Sequence, residues 1–153
     1  MAHLITPIRI DGFPYCCDPV TRRTEALLGG MAAVVGENEW EIYRVQQGEG
    51  AVSGSLRFGV CCATTVDIEL TGEIETLNTG YDNIEVLLNG EREFFHESLD
   101  TSDDPDETIH LGPILVTLTL TDRPCGHLIE IRGGTVDGIA NNDVWWRATV
   151  AVR

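Results

Sequence analysis

The stretch "SLRFGVCCATTVDIEL", residues 55–70, alternates apolar and polar side chains with a period of two. Leu56, Phe58, Val60, Cys62, Val66, Ile68 and Leu70 hold even positions, while Ser55, Arg57, Thr65, Asp67 and Glu69 hold odd ones. A helix would repeat its apolar residues every three or four positions; this spacing instead buries one side of an extended chain and wets the other. The pattern predicts Cys62 in the core and Cys61 on the opposite face. Adjacent side chains on a regular strand point apart, so Cys61 and Cys62 cannot converge on one ion. A zinc site built from this pair and Cys16–Cys17 would also lack the CxxC spacing that turns two thiolates to one metal.

The same alternation recurs along the chain. "EWEIYRVQ" (39–46) sets Trp40 and Ile42 against Glu41 and Tyr43, and "NIEVLLN" (83–89) aligns Ile84, Val86 and Leu88. "REFFHES" (92–98) follows across Asn89-Gly90, a pair that tolerates the positive φ of a tight hairpin. "ILVTLTLT" (114–121) places Ile114, Val116, Leu118 and Leu120 inward, and "HLIEIRG" (127–133) is a further strand. "VWWRATVAVR" (144–153) puts Val144, Trp146, Ala148, Val150 and Val152 on one face, with Trp145, Arg147 and Thr149 on the other. "LITPIRID" (4–11) reads as an edge strand because Pro7 cannot donate to a ladder. In "DPVTRRTEALLGG", Asp18 can cap, Pro19 suits a first turn and Gly29-Gly30 stops the run, which predicts a short helix over 18–30. The expected fold is all-β: one antiparallel β-sandwich over 1–153, jelly-roll-like, of about eight strands, with an N-terminal arm or edge strand over 1–17 and that one helix.

Charge narrows the chemistry. The net charge is −15, and all ten basic residues are arginine. Without lysine there is no Schiff-base or P-loop mechanism, and an acidic surface repels nucleic-acid phosphates. No stretch approaches the ~20 apolar residues of a membrane span. The start, "MAHLITPIRIDG", lacks a basic segment followed by an apolar run. That predicts a cytosolic chain, one carried out in an assembled particle, or one given without its leader. The five cysteines are odd in number, so at least one thiol stays unoxidised or pairs between chains.

Catalytic patterns are absent. His3, His96, His110 and His127 form neither HxH nor HExxH, and no GxSxG elbow occurs. Cys125-Gly126-His127, at the start of a strand, is a commonplace spacing. For binding, "SLDTSDDPDETIH" (98–110) offers Asp100, Asp103, Asp104, Asp106 and Glu107. Oxygen ligands this dense suit Ca²⁺ without matching an EF-hand, the alternative being a solvated loop. "GGTVDGIANND" (133–143) would add Asp137, Asn141, Asn142 and Asp143 if both loops fell at one end. Trp145, outward beside Arg147, is either covered by another surface or a stacking platform for a sugar.

The stretch "GYDNIEVLLNG" (80–90), in which a Tyr-Asp pair opens a strand ending in Asn-Gly, resembles secreted β-sandwich domains of the CUB and carbohydrate-binding-module kind. The resemblance implies a sandwich and, as in some of those domains, Ca²⁺ held by acidic loops.

Three function classes follow. The first is a non-enzymatic structural or attachment protein of an assembly, for example a virion decoration or fibre-like protein. Its partners would be other subunits, in a homo-oligomer or coat contact made by the apolar arm of Leu4, Ile5, Ile8, Ile10, Phe13 and Tyr15. The second is a glycan-binding module, with or without Ca²⁺, that uses Tyr81, Trp145 and the acidic loops. The third is a small β-sandwich enzyme. The first is preferred for want of any catalytic pattern, and no cofactor beyond Ca²⁺ is expected.

Overall fold

The computed structural model describes residues 8–10, 13–15, 17–45, 52–75, 81–99, 108–120, 125–135 and 143–153. They contain strands β1 (Ile8–Ile10), β2 (Phe13–Tyr15), β3 (Leu27–Gly30), β4 (Ala33–Gly36), β5 (Glu39–Val45), β6 (Ser53–Cys61), β7 (Thr65–Glu75), β8 (Tyr81–Leu88), β9 (Glu91–Leu99), β10 (Thr108–Thr119), β11 (Cys125–Thr135) and β12 (Asp143–Val152). β1 and β2 pair as a small ladder of their own. The other ten form two five-stranded antiparallel sheets, a first in the order β10-β7-β12-β5-β4 and a second in the order β3-β6-β11-β8-β9. The inner faces meet in one core, where Trp40 stacks on Phe58 at 6.4 Å between ring centroids.

The predicted alternation holds through most of this core. Leu56, Phe58, Val60, Val66, Ile68, Leu70, Ile84, Val86, Val116, Leu118, Trp146, Ala148 and Val150 are all buried. The single run seen in residues 55–70 is nevertheless two strands in two different sheets. Even positions stay inward on both sides of the break, so periodicity alone does not reveal the crossing.

The break corrects the cysteine expectation. Cys62 is exposed and has φ +51°, a left-handed backbone that ends the alternation and turns the chain towards the first sheet. Cys61, not Cys62, is the buried one, at 6% exposure, and it is disulfide-bonded to Cys17 across 44 positions with Cα atoms 6.0 Å apart.

Residues 18–30 correct a second expectation, because they form no helix. Asp18 does cap: its Oδ1 accepts the Val20 N–H at 2.7 Å and its carbonyl accepts the Arg22 N–H at 2.7 Å. Arg22 then takes φ +56° and stops the turn. Beyond it the chain runs beside β6, with Arg23 bridged to Val60 and Leu27 opposite Arg57. Weak helical propensity loses here to an open strand edge that pairs the backbone of residues 27–30 with β6. Seven of the expected strands fall in the two sheets; the split of the long run adds one, and β3 and β4 make ten.

Tyr43 is a third correction: it is buried, not outward with Glu41. Across from β5, Trp146 pairs with Tyr43 and Arg147 with Glu41, which leaves Ile42 as the extra residue of a bulge. Past such a bulge the inward parity shifts by one, so Ile42 and Tyr43 both face the core. The Asn89-Gly90 hairpin is as expected, with φ of +52° and +84°. The Asn89 side chain also accepts the Leu128 N–H at 2.9 Å, tying the turn to β11.

Strand register fixes which ends of the sandwich coincide. In the first sheet Val45, Glu75, Thr108 and Asp143 lie at one end. In the second, Ser53, Tyr81, Leu99 and Thr135 lie at one end. The chain passes from one group to the other four times, after Val45, Glu75, Leu99 and Thr135, within at most eight residues each time. Spans that short require both groups to share the same end of the sandwich.

Candidate functional site

Pairing across the second sheet places five residues in one transverse row. Gly29 lies opposite Ser55, Ser55 opposite Arg132, Arg132 opposite Glu85, and Glu85 opposite Phe95. Their sequence neighbours Leu56, Ile131, Ile84 and Val86 are fully buried, so the row faces outward. A next row towards the loop end holds Ser53, Gly134, Asn83 and Glu97. Short or missing side chains at positions 29, 53, 55 and 134 between the longer ones leave an open trough of about 420 Å³ that crosses all five strands.

A bulge supplies the remaining wall. On β9 Phe94 pairs with Val86 but Arg92 pairs with Leu87, leaving Glu93 as the extra residue. Without it, Arg92 would share the inward face of Phe94; with it, Arg92 turns out beside Phe95. Its guanidinium lies 4.4 Å from the Phe95 ring centroid and donates from Nε to Glu85 Oε2 at 2.8 Å. The other Glu85 oxygen accepts from Arg132 Nε. The carboxylate is the floor of this group, with a side chain only 13% exposed, while the Arg92 and Arg132 side chains are 56% and 50% exposed. Burial alone would raise the Glu85 carboxyl, but hydrogen bonds from Arg132 and Arg92 outweigh it and hold the group below the usual carboxylate range. The hydrogen bond to Glu85 in turn raises Arg132 above its ordinary value. Beside them Arg57 pairs with Glu130 at 3.7 Å.

The residues singled out by sequence lie elsewhere. Trp145 and Arg147 are on the outer face of the first sheet, where the Arg147 guanidinium sits 4.9 Å from the indole centroid and 3.7 Å from Glu41. The inward and outward assignment of Trp146 and Trp145 matches the expectation, and Trp145 is half-buried under its own neighbour. Tyr81 opens β8 in the second sheet, so it and Trp145 are not brought together on one face. Asp100, Asp103, Asp104, Asp106 and Glu107, with Asp137, Asn141 and Asn142, lie outside the described residues. The strand ends flanking both acidic stretches do fall at the same end of the sandwich. His127 is buried with Nδ1 3.0 Å from the Asn89 amide nitrogen, a hydrogen bond that fixes the hairpin.

Sequence reasoning missed Glu85, Arg92, Phe95 and Arg132. Outward parity was a usable signal for Glu85 and Arg132, but which strands pair was not, and the bulge at Glu93 hid Arg92. A separate surface feature is the stretch "ALLGGMAAVVG" (26–36), which carries no charge and exposes Leu27, Leu28, Val34 and Val35 on two edge strands and Met31 in the turn between them.

No family model matches the chain, and no curated protein does. Several solved structures are similar to it. One is TmCBM61 in complex with β-1,4-galactotriose, at 13% identity and a TM-score of 0.43 over 84% of this chain and 88% of that one. Another is a family 35 carbohydrate-binding module from Clostridium thermocellum, at 14% identity and a TM-score of 0.36 over 80% and 90%. Dimeric latent PorU from Porphyromonas gingivalis is similar at 9% identity and a TM-score of 0.47, over 84% of this chain and 12% of that one. The first two are carbohydrate-binding modules, the kind of domain that residues 80–90 resemble.

Proposed function

We propose that this chain is a non-catalytic carbohydrate-binding module, and that a glycan lies in the trough across the second sheet. The observation that carries the reading is the in-register row from Gly29 to Phe95. It makes an extended furrow with small residues at one side and an aromatic edge at the other. Along it stand Arg132 and Arg92, held by Glu85 beneath them, and Ser55, the mixture of apolar surface and convergent polar groups that a ring of hydroxyls requires. An open furrow suits a polymer. The attachment-protein reading has the uncharged edge over 26–36 in its favour, but nothing on that edge selects a partner.

The test is isothermal titration against a panel of soluble polysaccharides, with Phe95→Ala and Trp145→Ala compared. Loss of Phe95 should weaken binding by about tenfold or more, the contribution of one buried aromatic contact. Loss of Trp145, on the other sheet, should change it little. Equal loss from both variants, or loss from Trp145→Ala alone, would move the site to the first sheet.

A further inference from the structure

The trough has a charge layout opposite to that of the molecule. The chain carries −15 overall, yet what a ligand meets on entering the trough is guanidinium. Glu85 lies beneath, 13% exposed, while Arg92 and Arg132 stand over it, about half exposed. Each arginine donates to Glu85 from its Nε, and the Arg92 guanidinium also lies against the Phe95 ring, with both side chains lining the trough. On the same face Glu130 is paired with Arg57 and also acts on Arg132, and the exposed carboxylate of Glu97 sits opposite Asn83 at the loop end of the furrow. Glu85 thus positions the two forks rather than neutralising them at the surface. Two planar forks beside one furrow match a planar anion carried on a ring, since guanidinium pairs with carboxylate in two parallel hydrogen bonds.

We propose that the trough selects an acidic glycan, one whose sugar rings carry carboxylates, over neutral polysaccharides. This rests on the glycan-binding reading and narrows it. Placing such a ligand against a protein of this net charge costs long-range repulsion, which the local arginine pair must overcome. Binding should therefore depend on the pair far more than on any single hydroxyl contact.

The experiment compares polygalacturonate with the same polymer after full methyl esterification, and with a neutral and a sulfated galactan, by titration of the full chain. Polygalacturonate should bind about tenfold or more tightly than its ester, as charge-assisted hydrogen bonds contribute that much discrimination. Arg92→Gln and Arg132→Gln should each erase most of that ratio, while Arg44→Gln on the other sheet leaves it intact. Glu85→Gln loosens the group that positions both forks: it should lower thermal stability and reduce the ratio of polymer to ester binding while both arginines remain. Equal affinity for polymer and ester overturns the acidic preference while leaving glycan binding in place. Equal binding of the sulfated galactan overturns carboxylate recognition in favour of plain charge. Binding to none of the four polymers, by a protein that is folded by circular dichroism, counts against the glycan reading itself.

Discussion

Glu85 holds two arginines from two different strands, so its ionisation is linked to folding as well as to the trough. The Glu85 carboxyl lies below the usual carboxylate range in the folded chain and near ~4.3 when unfolded. A depressed folded value means that its stabilisation is complete above the unfolded value and is lost as pH falls through the folded one. Replacing Glu85 by Gln should therefore cost about 2 kcal/mol at neutral pH, the usual size of hydrogen bonds to a charged group. The cost should vanish in acid. Melting curves of both proteins across the acid range check this: the two should differ at neutral pH and converge as the carboxyl protonates. Parallel curves at every pH would mean that Glu85 stabilises by packing alone.

At the scale of elements, the Cys17–Cys61 disulfide ties the edge segment ahead of β3 to the last residue of β6. Three backbone and side-chain bonds run alongside it: Cys61 N–H to the Arg22 carbonyl at 2.9 Å, Thr24 N–H to the Gly59 carbonyl at 2.8 Å, and Gly59 N–H to Thr24 Oγ1 at 2.7 Å. Closing a loop of 44 positions restricts the unfolded chain by about 4 kcal/mol. Cys17→Ala with Cys61→Ala should lower the free energy of unfolding by roughly that amount, read from denaturant midpoints. An unchanged midpoint would place the stability of this edge in its hydrogen bonds. This is also where the sequence was hardest to read. Period-two patterns located β5, β8, β10, β11 and β12 and most of their buried residues, Tyr43 beside the β5 bulge excepted, because each of those strands has one wet face. They could not show that residues 55–70 change sheets, since Cys62 breaks the backbone without disturbing which positions face inward. Nor could they reject a helix over 18–30, whose capping residue is used for a single turn. The trough was less legible still. It is assembled from residues as far apart as Gly29 and Arg132, and its geometry depends on a bulge that leaves no mark in the period.

For the molecule as a whole, the two outer faces are different surfaces. The first sheet presents Trp145 under Arg147, with Glu73 3.4 Å from His110 and Asp67 paired to Arg153 at 3.4 Å, a flat mosaic of local charge pairs. The second is furrowed. The furrow runs across the strands from β3 to β9, the two edges of its sheet. Four inter-strand spacings give it a span of about 19 Å. Its lining reaches both edge strands: Arg92 and Phe95 stand at the β9 end, whereas only Gly29 and Gly30 line the β3 end. A mouth lined by side-chain-less residues puts no lid on a chain: a polymer can run off the sheet past β3, so no terminus is needed for docking. Affinity measured against a ladder of oligomers should then climb with length until the ligand reaches across the sheet, and stay level for everything longer. A steady rise with no plateau would mean that the polymer also touches the sides of the sandwich, and a maximum at the shortest oligomers would mean that chain ends are what is held.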